Sequence, residues 1–329
     1  MPDALYVCLQ DENKIAVFSM NADTGQLTPR VEVPVAGGPS VMAVSPNRQV
    51  LYVGHRGMPA ISSFRIDHSG GGLTLQRTVS PEHAPTFLAP DRTGRYLLSA
   101  YYQGGMAAVH RLGEDGAVAA APVHSVATAT GAYAIATDLS NRFAFVPHIA
   151  NLNDNVLEPR RENPGPNVIL QFKFDAHNGH LTANAPYRVE QGERLGPRHY
   201  CFHPTQDLVF FSNEQGCSVT SYRLDPASGG LSAVQTISTL PDGYSDRNTC
   251  SQIHLTPSGR LTAIGQVPTE AVPSAFGLDP GGHYLFAAGT ASGRLASYRI
   301  NQETGTLMPL TTYAAGQRPA AVQAVRLGD

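Results

Sequence analysis

The chain has 329 residues, with 32 Gly, 25 Pro, only 15% charged residues and a formal net charge of -3. Glycine and proline at that density favour short strands and many turns over long helices, and so weak a negative charge offers no basic field to recruit nucleic acid or an anionic membrane. No apolar run reaches the length of a membrane span, and the opening Met1-Pro-Asp-Ala-Leu-Tyr-Val-Cys8 has neither the basic nor the long apolar region of a secretory signal.

In chain order the elements repeat. The first apolar runs, 4–8, 15–19 and 25–28, read as the second, third and fourth strands of a unit that lacks its first. A whole unit follows: Gly38-Pro39-Ser40-Val41 through Pro46, then 50–54, 61–67 and Gly72-Leu73-Thr74. Further units begin at Ala84-Pro85, near Gly131-Ala132, at Gly196-Pro197, near Cys250 and at Val272-Pro273. The last fragment, Gln317-Arg318-Pro319-Ala320-Ala321-Val322, matches a first strand with nothing after it. A period of about 45 residues per four-stranded unit is that of a β-propeller. The sequence therefore predicts an all-β fold, a single seven-bladed propeller domain over 1–329. One blade is closed by the N- and C-terminal strands, with 320–325 pairing on 5–7, which leaves no free edge there.

Two units depart from the pattern. The fourth carries extra residues, 150–166, between its second and third strands; this inserted loop is expected at the channel mouth beside His148, as a lid. In the sixth, Leu261-Thr262-Ala263-Ile264 follows directly on Thr256-Pro257-Ser258-Gly259-Arg260. That is about 22 residues, two strands, short of the sister repeats, so the sixth blade is expected to be incomplete across 250–268.

In a propeller, the entry to strand one and the loop after strand two open on one face of the channel. His55, Arg56, Tyr101, Tyr102, Tyr133, His148, Arg198, His199, Asn213, Glu214, Gln252 and Arg318 occupy those positions, a set that describes a small-molecule site. A guanidinium can hold a developing oxyanion or an anionic substituent. An imidazole or a carboxylate can take a proton from water. His203, before Pro204 in a turn, reads as structural. Asn151, Asn153, Asp154 and Asn155 lack the Gly and terminal Glu of an EF-hand loop, and no GxSxG, HExxH or P-loop occurs, so no metal or other cofactor is expected. The four cysteines, at 8, 201, 217 and 250, show no CxxC spacing and no dense framework. They read as reduced thiols of a cytoplasmic protein, most of them small strand fillers.

Gly196-Pro-Arg-His199, Phe202-His-Pro204 and Asn213-Glu214, with the stretch 248–254 and Tyr101-Tyr-Gln-Gly-Gly105, resemble the propeller-type 6-phosphogluconolactonases. That lactonase family also contains a carboxymuconate-cyclising enzyme. The resemblance spans nearly the whole chain. It implies hydrolysis of a sugar lactone without an obligatory metal, at a site built from the positions of Arg198, His199 and Glu214 plus a polar residue at His148. This sequence departs from the family in Gly131-Ala132-Tyr133, where relatives often carry a His, at His148 and Gln252, where they often carry an acid, and in its short sixth unit. The expected catalytic residues are His148, Arg198, His199 and Glu214, with Arg56, Tyr101, Tyr133 and Gln252 touching a sugar-type lactone, phosphorylated or not. Water would attack the carbonyl with His148 or Glu214 as base. Two rival readings are a carboxymuconate-type cycloisomerase and a non-catalytic propeller that binds a ligand or a protein.

Overall fold

A computed structural model describes residues 3–149, 166–192, 194–255 and 264–328. The described chain forms six four-stranded antiparallel sheets, divided between two compact units. The first unit comprises residues 1–85, 113–118 and 264–329, and the second 86–112 and 119–263.

Three sheets belong to the first unit. One has the order β24 (Pro319–Val325), β1 (Asp3–Leu9), β2 (Lys14–Met20), β3 (Leu27–Pro34). The others run in sequence: β4 (Pro39–Val44), β5 (Val50–His55), β6 (Ala60–Ile66), β7 (Leu73–Val79), and β20 (Pro273–Leu278), β21 (Tyr284–Gly289), β22 (Arg294–Ile300), β23 (Leu307–Ala314). In the second unit one sheet is β8 (Phe87–Pro90), β9 (Tyr96–Tyr101), β10 (Met106–Leu112) and β11 (Val118–Ala127), whose first residue falls in the other unit. The next is β12 (Ala136–Thr137), β13 (Phe143–His148), β14 (Val168–Asp175), β15 (His180–Glu190). The last is β16 (Pro197–Phe202), β17 (Leu208–Asn213), β18 (Ser218–Leu224), β19 (Leu231–Ser238).

Burial follows the place of each strand in its sheet. The second strands β1, β5, β9 and β13 are buried at every residue, because both faces of their sheets are covered. In the fourth strands β3 and β19 most residues are exposed. Between strands one and two, one side chain caps the turn. Asp91 Oδ1 accepts from the N–H groups of Arg95 and Tyr96, and Asp138 Oδ1 from those of Arg142 and Phe143. In the same turn of its own sheet His203 Nδ1 accepts from Thr205 and Gln206, which makes it structural, as expected.

The chain ends meet as the repeat implied. β24 pairs antiparallel with β1, with Leu5 opposite Ala324, Tyr6 opposite Gln323 and Val7 opposite Val322. The expected insertion at 150–166 lies outside the described residues except for Pro166, as do 256–263 of the short sixth unit. Among the described residues between β19 and β20 there is no strand, consistent with an incomplete blade. Within the first unit Val267 packs on Ala287, Ala296 and Tyr298, and the Tyr298 hydroxyl donates to Pro268 C=O at 3.0 Å. The residues just before β20 thus cover part of that sheet.

A chain ending at residue 318 would leave β1, buried along its length, with one unpaired edge. It is expected to melt lower and to aggregate, and a peptide of residues 319–329 added in trans should restore much of the melting temperature. A truncated chain that melts like the full one would refute the structural role of the closure.

Candidate active site

The site grows from strand one of the sheet β16–β19. Pro197 lies opposite Asn213 and Tyr200 opposite Phe211, so the first strand holds one residue more than its partner across this step. The same one-residue bulge occurs between Pro39 and Val41 and between Pro273 and Ala275. A bulge re-aims side chains that strict alternation would send to opposite faces. Here it turns Arg198 and His199 towards the same neighbour, Tyr133: the guanidinium carbon stands 4.2 Å from the Tyr133 ring centre, and the His199 ring 5.3 Å from it. The Ser212 hydroxyl secures the bulge, accepting from His199 N–H at 3.3 Å and donating to Ser251 C=O at 2.9 Å.

Arg198 is held on two sides. Its Nε lies 2.6 Å from Glu214 Oε2, and its Nη2 donates to the Tyr133 hydroxyl at 2.5 Å. The Nε–H is not aimed along the Glu214 contact, so this is an ion pair more than a directed hydrogen bond. Among the described residues Nη1 is buried and has no hydrogen-bond partner. A buried guanidinium donor without an acceptor is costly, and an anionic oxygen would supply the missing partner. Tyr102 meets Tyr133 edge-on at 6.2 Å, and Phe87 meets His199 edge-on at 5.1 Å. Burial, and next the adjacent Arg198 charge, hold the His199 imidazole well below its ordinary range, so it is neutral at neutral pH.

The repeat explains why these residues meet. Thr86, Tyr133 and Arg198 hold equivalent places at the entry to strand one in three successive repeats, just after Pro85, Ala132 and Pro197. Tyr102, Ile149 and Glu214 are likewise the residues directly after strand two. Gln252 falls in the first series: Cys250 N–H donates to Glu214 C=O at 3.0 Å, as Gly131 N–H donates to Tyr102 C=O at 2.9 Å, so Gln252 takes the place of Tyr133 in its own repeat.

Against this frame His148 and Tyr101 fall one residue short. Both are the last residues of their second strands, the position that Asn213 and His55 also hold, and their side chains turn into the sheet packing. Asn213 Nδ2 donates to Thr220 Oγ1, which meets Thr236 Oγ1. His55 Nε2 meets Ser62 Oγ, which meets Thr78 Oγ1, at the same residue spacing. Tyr101 is buried with its hydroxyl 3.0 Å from Ser99 Oγ, and burial pushes it up to about 12. His148 is 0% exposed, burial holds it down to about 4, and neither ring nitrogen has a directed partner among the described residues. The residue of its repeat that corresponds to Glu214 is the buried, apolar Ile149. Arg56 lies in the first unit, in the exposed turn after β5, where its N–H donates to Gly38 C=O. Sequence reasoning omitted Phe87, and the cue was available, since Phe87 is the His199 of its own repeat.

No group of three or more His, Cys, Asp or Glu able to hold a metal occurs among the described residues, and no helix among them is long and apolar enough to cross a membrane.

The model of the lactonase family, described as a seven-bladed β-propeller, matches residues 4–262 and 257–324. The two stretches meet at the short sixth unit. A 6-phosphogluconolactonase of Pectobacterium carotovorum subsp. carotovorum (strain PC1) is 33% identical over 350 aligned positions, which cover 99% of this chain and 100% of the relative. One of Klebsiella pneumoniae (strain 342) is 31% identical over 97% of this chain and 98% of the relative. Among solved structures, a periplasmic gluconolactonase of Pseudomonas aeruginosa has a TM-score of 0.85 at 19% identity, with both chains covered completely. A protein of Bacteroides fragilis NCTC 9343 reaches 0.83 at 20%, with 98% of each chain covered.

Because His148 is neutral and buried when folded, an unfolded chain binds one more proton there as pH falls below about 6.5. Its contribution is fully present above that pH and is lost progressively down to about 4, by an amount on the order of 3 kcal/mol. His148→Asn, which places there the residue found at 213, should flatten this part of the stability–pH curve. An unchanged slope between pH 6.5 and 4 would count against the burial of a neutral imidazole.

Proposed function

The chain belongs to the lactonase family of seven-bladed β-propellers, and from that membership and the Arg198 cluster we propose that it hydrolyses a sugar-type lactone. The observation that carries the residue assignment is the buried, unpartnered Arg198 Nη1 beside the Glu214 carboxylate. The lactone carbonyl docks with its oxygen towards Nη1. As water attacks, the charge that develops on that oxygen meets a permanent cation in a site largely screened from solvent, where such a contact is strongest. Glu214 takes the proton from the attacking water, and the same proton passes to the ring oxygen as the C–O bond breaks. Tyr133 receives one hydrogen bond from Arg198 and can still give its own proton to a substrate oxygen. With Gln252 and the neutral His199 it forms a polar wall suited to the hydroxyl groups of a sugar.

Full-length relatives at 31–33% identity are named 6-phosphogluconolactonases, so the phosphorylated lactone heads the list of substrates, with the unphosphorylated gluconolactone second. The single propeller domain, the loop 150–166 as a lid and a cytoplasmic location belong to the same reading; four free thiols suit a reducing compartment.

The decisive measurement is a lactone panel followed against spontaneous opening, because many lactones open unaided. On the substrate the parent turns over, Arg198→Ala is expected to lower kcat by about 10²–10³-fold and Glu214→Gln by about 10²–10⁴-fold, with circular dichroism and melting close to the parent. Near-parent turnover in both variants would remove these roles. A parent that accelerates no lactone, yet melts higher with a small anion, would favour a binding propeller.

A further inference from the structure

Cys217 occupies an unusual place. In the turns between strands two and three, the residue before strand three is Asn13 at φ 52°, Gly105 at φ 60° and Gly293 at φ 68° in the sister sheets. All three are left-handed, and all three give their C=O to the N–H of a residue after strand four: Val35, Thr128 and Ala315. Cys217, at φ 42°, gives its C=O to Thr239 in the same way. Gly and Asn are the residues that take this conformation cheaply; a cysteine takes it at a cost in strain.

The strain places the Cys217 thiol against a second one. Cys217 Sγ points at Glu214 C=O, 3.9 Å away, and Cys250 N–H donates to that same carbonyl at 3.0 Å. Thr239 bridges the two cysteines: its hydroxyl donates to Cys217 C=O at 2.8 Å and lies 3.1 Å from Cys250 Sγ. The thiols are hydrogen-bonded to each other, and chiefly that bond, aided by Thr239 and the nearby Arg198 charge and opposed by burial, brings Cys250 down to about 7. The other two cysteines go the opposite way: burial pushes the thiols of Cys8 and Cys201 up, that of Cys201 to about 12.

We propose that Cys217 and Cys250 are an oxidation site for peroxides, a thiol pair that closes to a disulfide next to the Arg198–Glu214 cluster. The half-buried Cys250, as thiolate, attacks one peroxide oxygen. An S–O bond forms, the O–O bond breaks, and hydroxide leaves to be protonated to water, giving a sulfenic acid. The Cys217 sulfur then displaces the second water as the S–S bond forms and its own proton departs with the oxygen. Two thiols and one hydrogen peroxide become one disulfide and two waters. The bond ties the segment that bears Gln252 to the turn that bears Glu214. Its effect on turnover rests on the hydrolase reading above, whereas its formation does not.

The test uses the whole protein and hydrogen peroxide, with peptide mapping by mass spectrometry before and after reduction. The expected product is a Cys217–Cys250 disulfide reversed by dithiothreitol and absent from Cys250→Ser, with Cys8 and Cys201 still alkylated after unfolding. The cross-linked protein should melt at least about 3 °C higher than the reduced form. Peroxide that leaves both thiols free, or carries Cys250 on to the sulfinic acid with no disulfide, would overturn the proposal. On a lactone the parent turns over, closure should change kcat/KM at least about twofold, reversibly. Unchanged turnover with the disulfide fully formed would overturn the link to the site while leaving the map, which is read without any substrate, to stand or fall separately.

Discussion

Within each unit, neighbouring sheets meet in one recurring contact. The hairpin between strands three and four turns on a glycine with positive φ, and the first residue of a neighbouring second strand lies on that glycine. Tyr96 lies against Gly179 and Phe143 against Gly229 in the second unit, and Tyr284 lies against Gly25 in the first. A Cβ at any of these glycines would meet the ring, and the backbone is left-handed besides. Two of the three rings then anchor the turn through their hydroxyls: Tyr96 donates to His177 C=O at 2.9 Å, and Tyr284 to Asp23 C=O. The contact sets how far apart the sheets stand and how they are phased. Only with that phase held do equivalent residues of successive repeats become spatial neighbours, as Tyr133 and Arg198 are.

Phase is also what separates the residues of the Arg198 cluster from those packed within the sheets. One step along the chain at the end of strand two exchanges a buried sheet position for one at the site. Asn213 locks a hydroxyl relay across its sheet while Glu214 meets Arg198; Tyr101 bonds to Ser99 while Tyr102 faces Tyr133. The bulge at the start of strand one makes the reverse adjustment, letting two consecutive residues meet one neighbour, Tyr133. Neither device adds a residue type. Each uses the register of an ordinary antiparallel pair.

How much of this the sequence disclosed follows from the same distinction. The repeat, the pairing of the two ends and the shortfall in the sixth unit are periodic features, and a period survives an error of one residue. The pairing of Arg198 with Glu214 was legible because both stand in motifs of fixed spacing. His148 and Tyr101 were not, because the choice between a strand's last residue and the next one is a one-residue question, and strand ends are where sequence patterns are weakest. The bulge was equally hidden: alternation alone would aim His199 away from Tyr133. The Cys217–Cys250 pair could not be seen at all, since the contact depends on a left-handed residue and on a segment with no strand pattern to place it.

The incomplete sixth unit raises the question of whether the site can function beside it. What a neighbouring repeat gives to the Arg198 sheet is the entry to its first strand, and that entry is present. Cys250 N–H reaches Glu214 C=O, and Ser251 C=O receives the Ser212 hydroxyl that steadies the bulge. Gln252 then takes the place in its repeat that Tyr133 takes two repeats earlier. The missing residues fall after this entry, among strands that in the sister sheets lie progressively farther towards the exposed fourth strand. A shortening there removes apolar burial and so lowers stability, but it takes away none of the groups that hold Arg198. The loss therefore falls on stability, while Arg198, Glu214 and Tyr133 keep the contacts that hold the site together.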